Sequence, residues 1–589
     1  MCGVIMWYIF TGASFAALCA TLIATVRKSK KSGSFPLKTL MAGVFVAIVL
    51  MFAPIYMESF ASESLWEKTL KTFFLSLHHA IRLFIVDSDF DIIRNSVKSG
   101  AFYIAYSCYA VVMFVLAPAL TFGFVLSFFK NASAYKKYIS CYNKDVYIFS
   151  EINEKSVALG KSIKENLPDA AVVYADATAE EDEEDDYVKD FAKMRAIRFK
   201  KDFLSVNFGI HSKKKELFFF IIGKDEAENV RESLDFIEQY KDREGTWVYV
   251  FSNKIEGEIL LSAPDKGNLK VRRISDVRTL IYSMLRENGE LLFKEAVESG
   301  ENPDTKLISA LVVGLKRYGA EMVKSLAWFG QMAGYKLEIK AIDEDEKAVD
   351  KFISGCPELM KDGYNGNFSD DGEAQYNITI KGSIRIDSPA FEEEIESMKE
   401  ITYVFVDIGD DEENIGAAVK LRSLLAKKGK DSRIQAVVYN SDRKKALEGA
   451  RNHSGQSFDI DFIGDAESFY TMDNIMNSKL EEEALARHMR WGGEEDFWKF
   501  EYNRMSSVAS ALHKRMKILC NVPGILKEPK ERSDAERLGL RKLEHRRWNA
   551  YMRSEGYRYA EKRNNLAKTH HCLVTYELLS ESEKAKDDD

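Results

Sequence analysis

Three long apolar runs near the start of the chain constrain its fold more than any other feature of the sequence. They extend from Val4 to Val26, from Leu40 to Met57 and from Ala101 to Phe129. A helix of about 20 apolar residues is long enough to span the hydrocarbon core of a bilayer. The first run has its positive charges after it rather than before it, which is not the pattern of a cleaved signal peptide. We therefore expect three transmembrane helices.

Basic residues beside these runs predict their orientation. The segment "RKSKK" (Arg27 to Lys31) lies between the first two runs, and Lys136 and Lys137 follow the third. Membrane loops rich in lysine and arginine remain in the cytoplasm. Three crossings therefore place the N-terminus outside and everything after Lys130 in the cytoplasm, in a multi-pass protein of the inner or plasma membrane of a cell.

The stretch "TFFLSLHHAIRLFIVDSDFD" (Thr72 to Asp91) has two interpretations. It begins as an apolar helix, but Arg82 in its middle would be costly inside a bilayer. In the first interpretation it re-enters the membrane from outside, and the order helix, re-entrant helix, helix, cytoplasmic domain resembles the pore unit of tetrameric cation channels. Rings of Asp87 or Asp89 would then attract cations, although no TVGYG-like potassium filter is present. In the second it is an amphipathic helix on the outer surface.

The chain after Lys144 has the pattern of a soluble α/β protein. Short apolar runs rich in β-branched and aromatic residues alternate with amphipathic helical stretches, which indicates parallel sheets. The expected strands are "DVYIFS", "AAVVYAD", "ELFFFIIG", "TWVYVF" and "LKVRRI" in a first unit, and "LISALVVG", "YKLEIKAID", "ITYVFVDIG", "RIQAVVY" and "FDIDFIGD" in a second.

The two units have the pattern of tandem copies. "FFFIIGKDEAENV" (Phe218 to Val230) parallels "YVFVDIGDDEENI" (Tyr403 to Ile415), and "VYVFSN" (Val248 to Asn253) parallels "QAVVYNS" (Gln435 to Ser441) one strand later. In each long segment a buried strand is followed by acidic residues and a helix. A tandem pair of Rossmann-like doubly wound domains is therefore expected.

The phosphate-binding turns of the two units are degenerate. In "GLKRYGAEMV" of the second unit, Gly314 and Gly319 stand at two fingerprint positions, while Lys316 replaces the glycine at which the backbone approaches a pyrophosphate. Asp343 ends the next strand, where a ribose-binding acid would lie. The first unit has "FSEINEKS", without any glycine. We therefore consider nucleotide or anion binding in the second unit, with purely structural turns as the alternative.

Membrane helices followed by tandem degenerate Rossmann units resemble the RCK (TrkA-N) regulatory domains of potassium channels and transporters. The resemblance covers about Asn143 to Asp465 and rests on strand order and glycine-acid turns. It implies domains that assemble into a ring, bind nucleotides or divalent ions and pull on a pore helix. By analogy, the acidic run Glu180 to Asp186 would bind calcium; the alternative is a solvated loop.

A third family resemblance lies at the C-terminal end. An E-H-x-x-W helix, a G-[WY]-x-Y turn, a later H-x-x-L-V piece that we expect to be strand-like and the motif L-S-E-x-E-K resemble the RyR domain, a module repeated in ryanodine receptors and also found in bacterial proteins. Cys572 stands where the family usually has proline. The matching positions are Glu544, His545, Trp548, Gly556, Tyr557, Tyr559, Lys568, His571, Leu573, Val574, Leu579 and Glu583.

Aromatic and basic residues of this module predict a ligand site. Trp548 and Tyr551 lie three residues apart on one side of a predicted helix, and Arg547, Arg553, Arg558 and Lys568 are close in sequence. Such a set forms either an aromatic cleft rimmed by cations, which suits a phosphorylated nucleoside, or simply the core of a small module. The expected ligand-binding residues are Glu544, Arg547, Trp548, Tyr551, Tyr557, Tyr559, Lys568 and His571.

Composition and motifs narrow the functional classes. The net charge of −8 gives no support for nucleic acid as a partner, and the seven scattered cysteines contain no CxxC pair that would indicate a disulfide framework or zinc site. No catalytic constellation is visible, so an enzyme is not expected. The leading hypothesis is a homotetrameric, nucleotide-gated cation channel or membrane effector, with a stress or anti-phage role implied by related architectures. The alternative is a membrane-anchored regulatory subunit of an ion transporter.

The sequence therefore predicts an α/β fold with an N-terminal transmembrane segment, two Rossmann-like domains and a small α-rich C-terminal domain. The region between the second Rossmann-like domain and the C-terminal domain contains "FWKFEYNRMSSVASALHKRMK" (Phe497 to Lys517), which we expect to be one helix. The expected domain bounds are 1–135 (membrane segment), 143–290 and 304–466 (Rossmann-like), 467–530 (helical linker) and 533–589 (RyR-like).

Overall fold

The structure is a computed structural model of the chain. It describes residues 2–32, 37–85, 87, 90–98, 100–177, 187–212, 214–262, 265–299, 302–360, 376–448, 459–476 and 478–587. These residues form two compact units. The first takes in 1–143, 173–185 and 196–212, and the second takes in 144–172, 186–195 and 213–589, as far as they are described.

The first unit begins with five helices. They are α1 (Cys2–Ser32), α2 (Leu37–Ser59), α3 (Leu65–Phe84), α4 (Asp91–Ser96) and α5 (Ala101–Ser140). Three of these helices contain a segment that is long and apolar enough to cross a membrane: Val4–Arg27, Thr39–Ser59 and Ala101–Val125. The three apolar runs of the sequence are thus confirmed as helices of membrane-spanning length.

Packing in this unit centres on α2, which contacts α1, α3 and α5. Large side chains fill the seam between them, among them Trp7, Phe52 and Tyr106, all of which are almost completely buried. The outward sides of α1 and α5 carry exposed apolar residues such as Ile9 and Val115. Such surfaces are what a helix presents to lipid.

Helix α3 has its polar side turned inward. Thr72, Ser76 and His79 are buried, and the Tyr56 hydroxyl lies 2.7 Å from His79 Nδ1. Apolar side chains such as Phe73 and Phe74 are exposed on its outer side. A helix that lies on a membrane surface exposes its polar side to water instead, so α3 has the surface of an element that is embedded in an apolar environment.

The acidic end of this segment is only partly described. Asp87 lies three residues after the end of α3, and its backbone oxygen accepts a hydrogen bond of 2.7 Å from Arg82 Nε. Its side-chain Oδ1 lies 3.3 Å from Arg82 Nη2. Asp89, the second predicted pore residue, lies outside the described residues.

Two parallel sheets follow the membrane helices. The first has the strand order β3-β2-β1-β4-β5-β6, and the second has the order β10-β9-β8-β11-β12-β13, with β7 antiparallel to β8. If the parallel strands of each sheet are numbered from 1 to 6 along the chain, leaving β7 out, both orders become 3-2-1-4-5-6. This is the strand order of the Rossmann fold. The strands are β1 (Val146–Phe149), β2 (Ala171–Ala175), β3 (Ile197–Phe199), β4 (Leu217–Ile221), β5 (Thr246–Phe251), β6 (Leu269–Ile274), β7 (Val297–Ser299), β8 (Asn302–Val313), β9 (Tyr335–Ile342), β10 (Asn377–Lys381), β11 (Tyr403–Val406), β12 (Arg433–Val437) and β13 (Ile460–Ile463).

Helices connect these strands and bury the faces of the sheets. In strands such as β4 and β11 every residue is buried, as expected where helices cover both faces of a parallel sheet. The connecting helices are α6 (Glu154–Asn166), α7 (Val188–Met194), α8 (Glu226–Tyr240), α9 (Ile255–Ser262), α10 (Asp276–Asn288), α11 (Glu290–Lys294), α12 (Arg317–Phe329), α13 (Glu346–Gly355), α14 (Pro357–Met360), α15 (Pro389–Ser397), α16 (Asp411–Lys427) and α17 (Ser441–Glu448).

The predicted duplication is visible in the hydrogen bonds. Asn229 at the start of α8 accepts a bond from Gly223 N and donates to Phe251 O at 2.8 Å. Asn414 at the start of α16 accepts a bond from Ile408 N and donates to Val437 O at 3.0 Å. Each buried amide therefore joins the ends of two neighbouring strands, at the same position in both copies.

The C-terminal part of the second unit is mainly helical. Its helices are α18 (Ala466–Phe469), α19 (Met472–Met476), α20 (Ser478–His488), α21 (Glu494–Lys499), α22 (Glu501–Leu519), α23 (Asp534–Ser554) and α24 (Glu581–Lys584), and β14 (Arg558–Tyr559) pairs with β15 (Thr569–His570). Helix α22 packs between α20 and α23, and α23 packs on α12 of the second sheet.

Two local predictions in this part are wrong. The single helix expected from Phe497 to Lys517 is broken at Phe500, whose extended backbone separates α21 from α22. The piece expected to be strand-like at Leu573 and Val574 is irregular, and the strand lies earlier, at Thr569 and His570. Leu573 is buried, so its apolar character reflects core packing rather than a sheet.

Candidate functional site

A cavity of about 150 Å³ in the second unit brings together the helical linker region and the C-terminal module. It lies among α20, α22, α23 and the residues after β15. Its lining is both aromatic and charged, and contains four lysine and arginine side chains from four separate parts of the chain. The principal lining residues are Arg487, Trp491, Tyr502, Ser510, Glu544, His545, Arg547, Trp548, Arg563, His570, His571, Glu583, Lys586 and Asp587.

The carboxylate of Glu544 organises the buried side of this cavity. It accepts hydrogen bonds from Ser510 Oγ and Lys517 Nζ, each at 2.7 Å, and from Arg547 Nη2 at 2.9 Å. Arg487 Nη2 lies 3.1 Å from the same carboxylate. Three cationic groups thus surround one acid. Although burial opposes it, the charges of Arg547, Lys517 and Arg487 hold the pKa of Glu544 well below its usual range.

Arg547 is fixed by this carboxylate through two of its nitrogens, Nε and Nη2. Its third nitrogen, Nη1, has no hydrogen-bond partner among the described residues. The side chain is only 1% exposed. A buried N–H group without a partner costs free energy until it meets an acceptor, so Arg547 is prepared to donate to a ligand atom.

Aromatic rings form the opposite side of the cavity. Trp548 meets the ring of His570 edge-on at 4.9 Å, and Trp491 contacts His488 at 4.1 Å between ring centroids. The guanidinium group of Arg563 lies 5.5 Å above the Tyr502 ring. Burial lowers the pKa of His570 to about 4, so its imidazole is neutral at physiological pH. Flat faces beside cations suit an aromatic ligand that carries negative charge.

The last described residues border the same cavity. Lys586 and Asp587 belong to a 3₁₀ turn (Ala585–Asp587) that packs on α23. Asp587 Oδ2 lies 3.2 Å from His545 Nδ1. Burial raises the pKa of the Asp587 carboxyl, while the hydrogen bond with His545 opposes this change. An acidic side chain of the protein itself therefore stands beside the basic residues of the cavity.

The structure divides the ligand-binding residues that the sequence predicts. Glu544, Arg547, Trp548 and His571 line the cavity. Tyr551, Tyr557 and Lys568 line a neighbouring cavity of about 220 Å³ that is bordered by α9, α10 and α22. Tyr559, in β14, is 54% exposed and borders neither cavity. The residues considered for a single aromatic cleft are thus divided between two cavities and the surface.

Helix geometry explains this division. Trp548 and Tyr551 are three residues apart, but Tyr551 is directed toward the second sheet, where its ring meets Trp328 at 6.1 Å. It is 2% exposed and is part of the core. Arg553, also expected at the rim, is buried and donates to Glu358 O at 3.2 Å. Three-residue spacing placed these residues near each other, but it did not determine which neighbour each one faces.

The cavity also contains residues that sequence analysis missed. Arg487, Trp491 and Tyr502 belong to the linker region rather than to the C-terminal module. The segment "RHMRWGG" (Arg487 to Gly493) combines basic and aromatic residues at the end of a helix. This combination was the sequence pattern that could have indicated a ligand-binding surface here. Their approach to Trp548 depends on how α20 and α22 pack against α23, which no local pattern indicates.

The turn of the second Rossmann-like domain is closed by the protein's own side chains. Gly314 has a φ of +95°, and a Cβ atom there would lie 2.0 Å from Asp407 O. Asp407 Oδ2 accepts hydrogen bonds from Tyr318 N at 2.8 Å and Gly319 N at 3.0 Å, at the start of α12. In a dinucleotide-binding fold a pyrophosphate lies at this helix end. Here a buried carboxylate takes that place.

The remaining predicted residues of this turn agree with a structural role. Asp343 Oδ2 accepts a bond from Leu315 N at 2.5 Å, and its Oδ1 accepts one from Asp345 N at 2.7 Å. Its carboxylate is therefore bonded to the turn instead of being directed to a ribose. Lys316 is exposed immediately before α12. In the first domain, Asn153 caps α6 through Ser156 N at 3.0 Å.

One group of potential metal ligands borders the main cavity. Donor atoms of His570, His571 and Cys572 lie within 4.8 Å of one another. However, His570 Nδ1 already accepts a hydrogen bond from Cys572 N. Burial raises the pKa of the Cys572 thiol to about 12, and a thiol must be deprotonated to bind a metal. This group does not fit a metal centre.

No family model matches the chain, and neither does any curated protein.

Proposed function

We propose that this protein is a membrane-embedded sensor in which the cavity around Arg547 and Trp548 takes a small anionic aromatic ligand of the nucleotide class. Binding controls cation passage through, or the integrity of, the membrane segment. The resemblance to RCK (TrkA-N) and RyR domains supports the same assignment. The proposed form is a homotetramer in a cell membrane, with the domains after Lys130 in the cytoplasm.

The observation that carries this proposal is the pairing of a prepared cation with aromatic faces. Arg547 is held by Glu544 and retains Nη1 without a partner among the described residues, while Trp491 and Trp548 supply flat surfaces. A volume of about 150 Å³ admits an aromatic ring, as an engineered cavity of that size binds benzene. Phosphate groups would remain near Arg487, Arg563 and Lys586.

The closed turns of the Rossmann-like domains support the choice of site. Asp407 fills the start of α12, and Asp343 is bonded to the glycine turn. We therefore assign these domains a structural and transmitting role. No nucleotide is expected at Gly314, Lys316 or Gly319.

The membrane segment contributes the second half of the proposal. Helix α3 buries Thr72, Ser76 and His79 against its neighbours and exposes apolar rings outward. Polar side chains that face a protein interior at membrane depth are typical of ion and proton pathways. Several copies are needed to enclose an aqueous path, because one copy offers only three spans and α3. Asp87 and Asp89 remain the proposed cation-attracting residues.

The test uses the full-length protein reconstituted in liposomes. Mononucleotides and cyclic dinucleotides are added to the cytoplasmic side, cation flux is recorded, and calorimetry on the same protein in nanodiscs measures binding. Trp491→Ala should weaken binding about tenfold or more, because base-aromatic stacking contributes about 1–3 kcal/mol. Trp491 is 40% exposed, so its removal spares the core.

Tyr559→Ala is the control, since Tyr559 is an exposed aromatic residue that does not border the cavity. It should bind and conduct as the parent protein does. If no anionic aromatic compound binds, or if both variants lose binding equally, the assignment of the ligand to this cavity is wrong.

One observation favours a second candidate function. The carboxylate of Asp87 pairs with Arg82 of the same chain, which offsets part of the negative charge that a pore would use to attract cations. A regulatory subunit that anchors itself beside a transporter needs no pore of its own. Ligand binding without any flux in liposomes would select this alternative over the channel.

A further inference from the structure

The neighbouring cavity of about 220 Å³ adjoins the ligand cavity within the second unit. Tyr502 of α22 and Met552 of α23 border both cavities. The two cavities therefore follow each other along α23, with Trp548 beside the first and Glu555, just after the helix, beside the second. At a rise of about 1.5 Å per residue, these two positions are about 10 Å apart. A ligand that contacts both must be longer than one aromatic ring.

Neither cavity alone has the volume of a usual small-molecule site. Such sites have volumes of about 300–1,000 Å³. The cavities of about 150 Å³ and about 220 Å³ are each smaller, and only together do they reach the lower part of this range. A ligand of the nucleotide class therefore fits the pair of cavities better than it fits either one alone.

The second cavity differs from the first in its charges. Its charged lining residues are three acids and two cations, namely Glu258, Glu501, Glu555, Arg278 and Lys568. Both cations are already bonded within the protein. Arg278 Nη2 donates to Glu555 Oε1 at 2.6 Å, and Lys568 Nζ donates to Glu555 O at 2.6 Å. The second cavity therefore suits a neutral, hydroxyl-bearing group rather than a phosphate.

Glu258 is the acid of this cavity that is able to bind such hydroxyl groups. The carboxylate of Glu501 accepts two hydrogen bonds from Arg273, at 2.6 and 2.8 Å, and that of Glu555 is bonded to Arg278. Among the described residues, none donates a hydrogen bond to the Glu258 carboxylate, and Arg273 Nη2 lies 3.9 Å from it. Burial and the charge of Glu501 raise the pKa of Glu258. Hydroxyl groups of a ligand would supply the donors that this carboxylate lacks.

A cation at the boundary between the two cavities indicates the order of the ligand's parts. Arg563 borders the first cavity, and its guanidinium group lies 5.5 Å from the centre of the Tyr502 ring, which borders both. A base stacked at Trp548 would thus direct its phosphates to Arg563 and the group beyond them into the second cavity. A carboxylate that accepts from ribose hydroxyl groups is the arrangement found in dinucleotide sites.

We propose that the ligand extends through both cavities and is a nucleoside diphosphate that carries a second sugar, with Glu258 accepting hydrogen bonds from the hydroxyl groups of that sugar. The inference rests on the proposed function and narrows its ligand class. Glu258 thereby determines specificity, because a nucleotide without the second sugar lacks the part that reaches it.

Calorimetry on the full-length protein in nanodiscs tests the proposal with two pairs of probes. Adenosine diphosphate is compared with adenosine diphosphate ribose, and uridine diphosphate with uridine diphosphate glucose. In at least one pair the sugar-bearing probe should bind about tenfold more tightly. Glu258→Gln should remove about that factor, as expected when a charged hydrogen-bond acceptor is lost, and should leave the affinity for the plain diphosphate unchanged.

Glu256→Gln is the matched control, because Glu256 is an exposed acid of the same helix, α9, that does not border the cavity. It should bind all probes as the parent protein does. Equal affinities within both pairs, or equal effects of the two glutamine variants, would overturn the extension into the second cavity. The proposed function would still stand in that case if Trp491→Ala weakened binding of the plain diphosphates. Failure of every probe to bind would contradict the proposed function itself.

Discussion

At the scale of single residues, Asn229 and Asn414 show how a side chain supplies hydrogen-bond partners to backbone groups at the ends of strands. Each amide satisfies a backbone N–H beyond one strand and a carbonyl at the end of the next. Both residues are at most 1% exposed. Loss of such a side chain leaves two buried polar groups of the backbone without partners, so the two copies of the fold depend on the same residue type in the same place.

Replacing Asn414 with alanine should lower the thermal unfolding midpoint of the full-length protein by several degrees. Each unsatisfied buried group costs about 1–3 kcal/mol. Intrinsic fluorescence in detergent measures the midpoint. Asn166→Ala is the control, because Asn166 is exposed at the end of α6. Equal midpoints for the two variants would show that the bridging bonds do not stabilise the fold.

Glu544→Gln should destabilise the protein to the same extent at neutral and at mildly acidic pH. The pKa of Glu544 is lowered in the folded protein, so its carboxylate contributes stability above its unfolded pKa, near 4.5, and loses it only as pH falls through the folded pKa. The difference in midpoint between parent and variant should therefore be the same at pH 7 and pH 5. A difference that shrinks within that interval would contradict a lowered pKa.

At the scale of elements, α3 is the helix whose surface was least expected from sequence. Phe73, Phe74 and Ile81 are exposed, whereas Thr72, Ser76 and His79 are buried. A water-soluble, membrane-impermeant maleimide should leave Phe73→Cys unlabelled in intact cells, because the outward side of α3 faces an apolar environment. Ala61→Cys, in the turn before α3, should react. Labelling of both cysteines would place α3 on the outer surface of the membrane.

The elements that sequence analysis identified are those with strong local patterns. The three apolar runs and the ten strands expected from the sequence are correct because hydrophobic length and period are local properties. Strands β3, β7 and β10 were missed, since "IRF" and "VES" have only three residues and "NITIK" lies at a sheet edge without a fully buried position. The break at Phe500 was missed because neither proline nor glycine marks it. The cavity was only half predicted, as its walls are joined by tertiary packing alone.

At the scale of the whole molecule, Arg278 joins three parts of the second unit. It extends from α10 of the first sheet, with Nε 3.1 Å from Glu321 of α12 and Nη2 2.6 Å from Glu555 after α23. All three side chains are largely buried. A rearrangement in the C-terminal module therefore changes the surroundings of a charge that both Rossmann-like domains share.

A double-mutant cycle of Arg278→Ala and Glu555→Ala should give a coupling energy of about 2–3 kcal/mol, as for contacting residues within a buried network. The exposed pair Arg385 and Asp387 is the control, with a coupling below about 1 kcal/mol. Thermal or denaturant unfolding of the full-length variants supplies the energies. Similar coupling for both pairs would remove Arg278 as a connection between the domains.

Helix α5 runs without interruption from Ala101 through the membrane span to Ser140, where it is fastened to β3 and the following turn. Pro118 lies inside the span and provides no N–H for the helix, so bending is easiest there. From Pro118 to Ser140 the helix is a lever arm of about 33 Å. A deflection of about 5° at the proline moves the far end by about 3 Å. A small displacement of the end at Ser140 is thereby transmitted as torque to the apolar part of the helix, which is long enough to span a membrane.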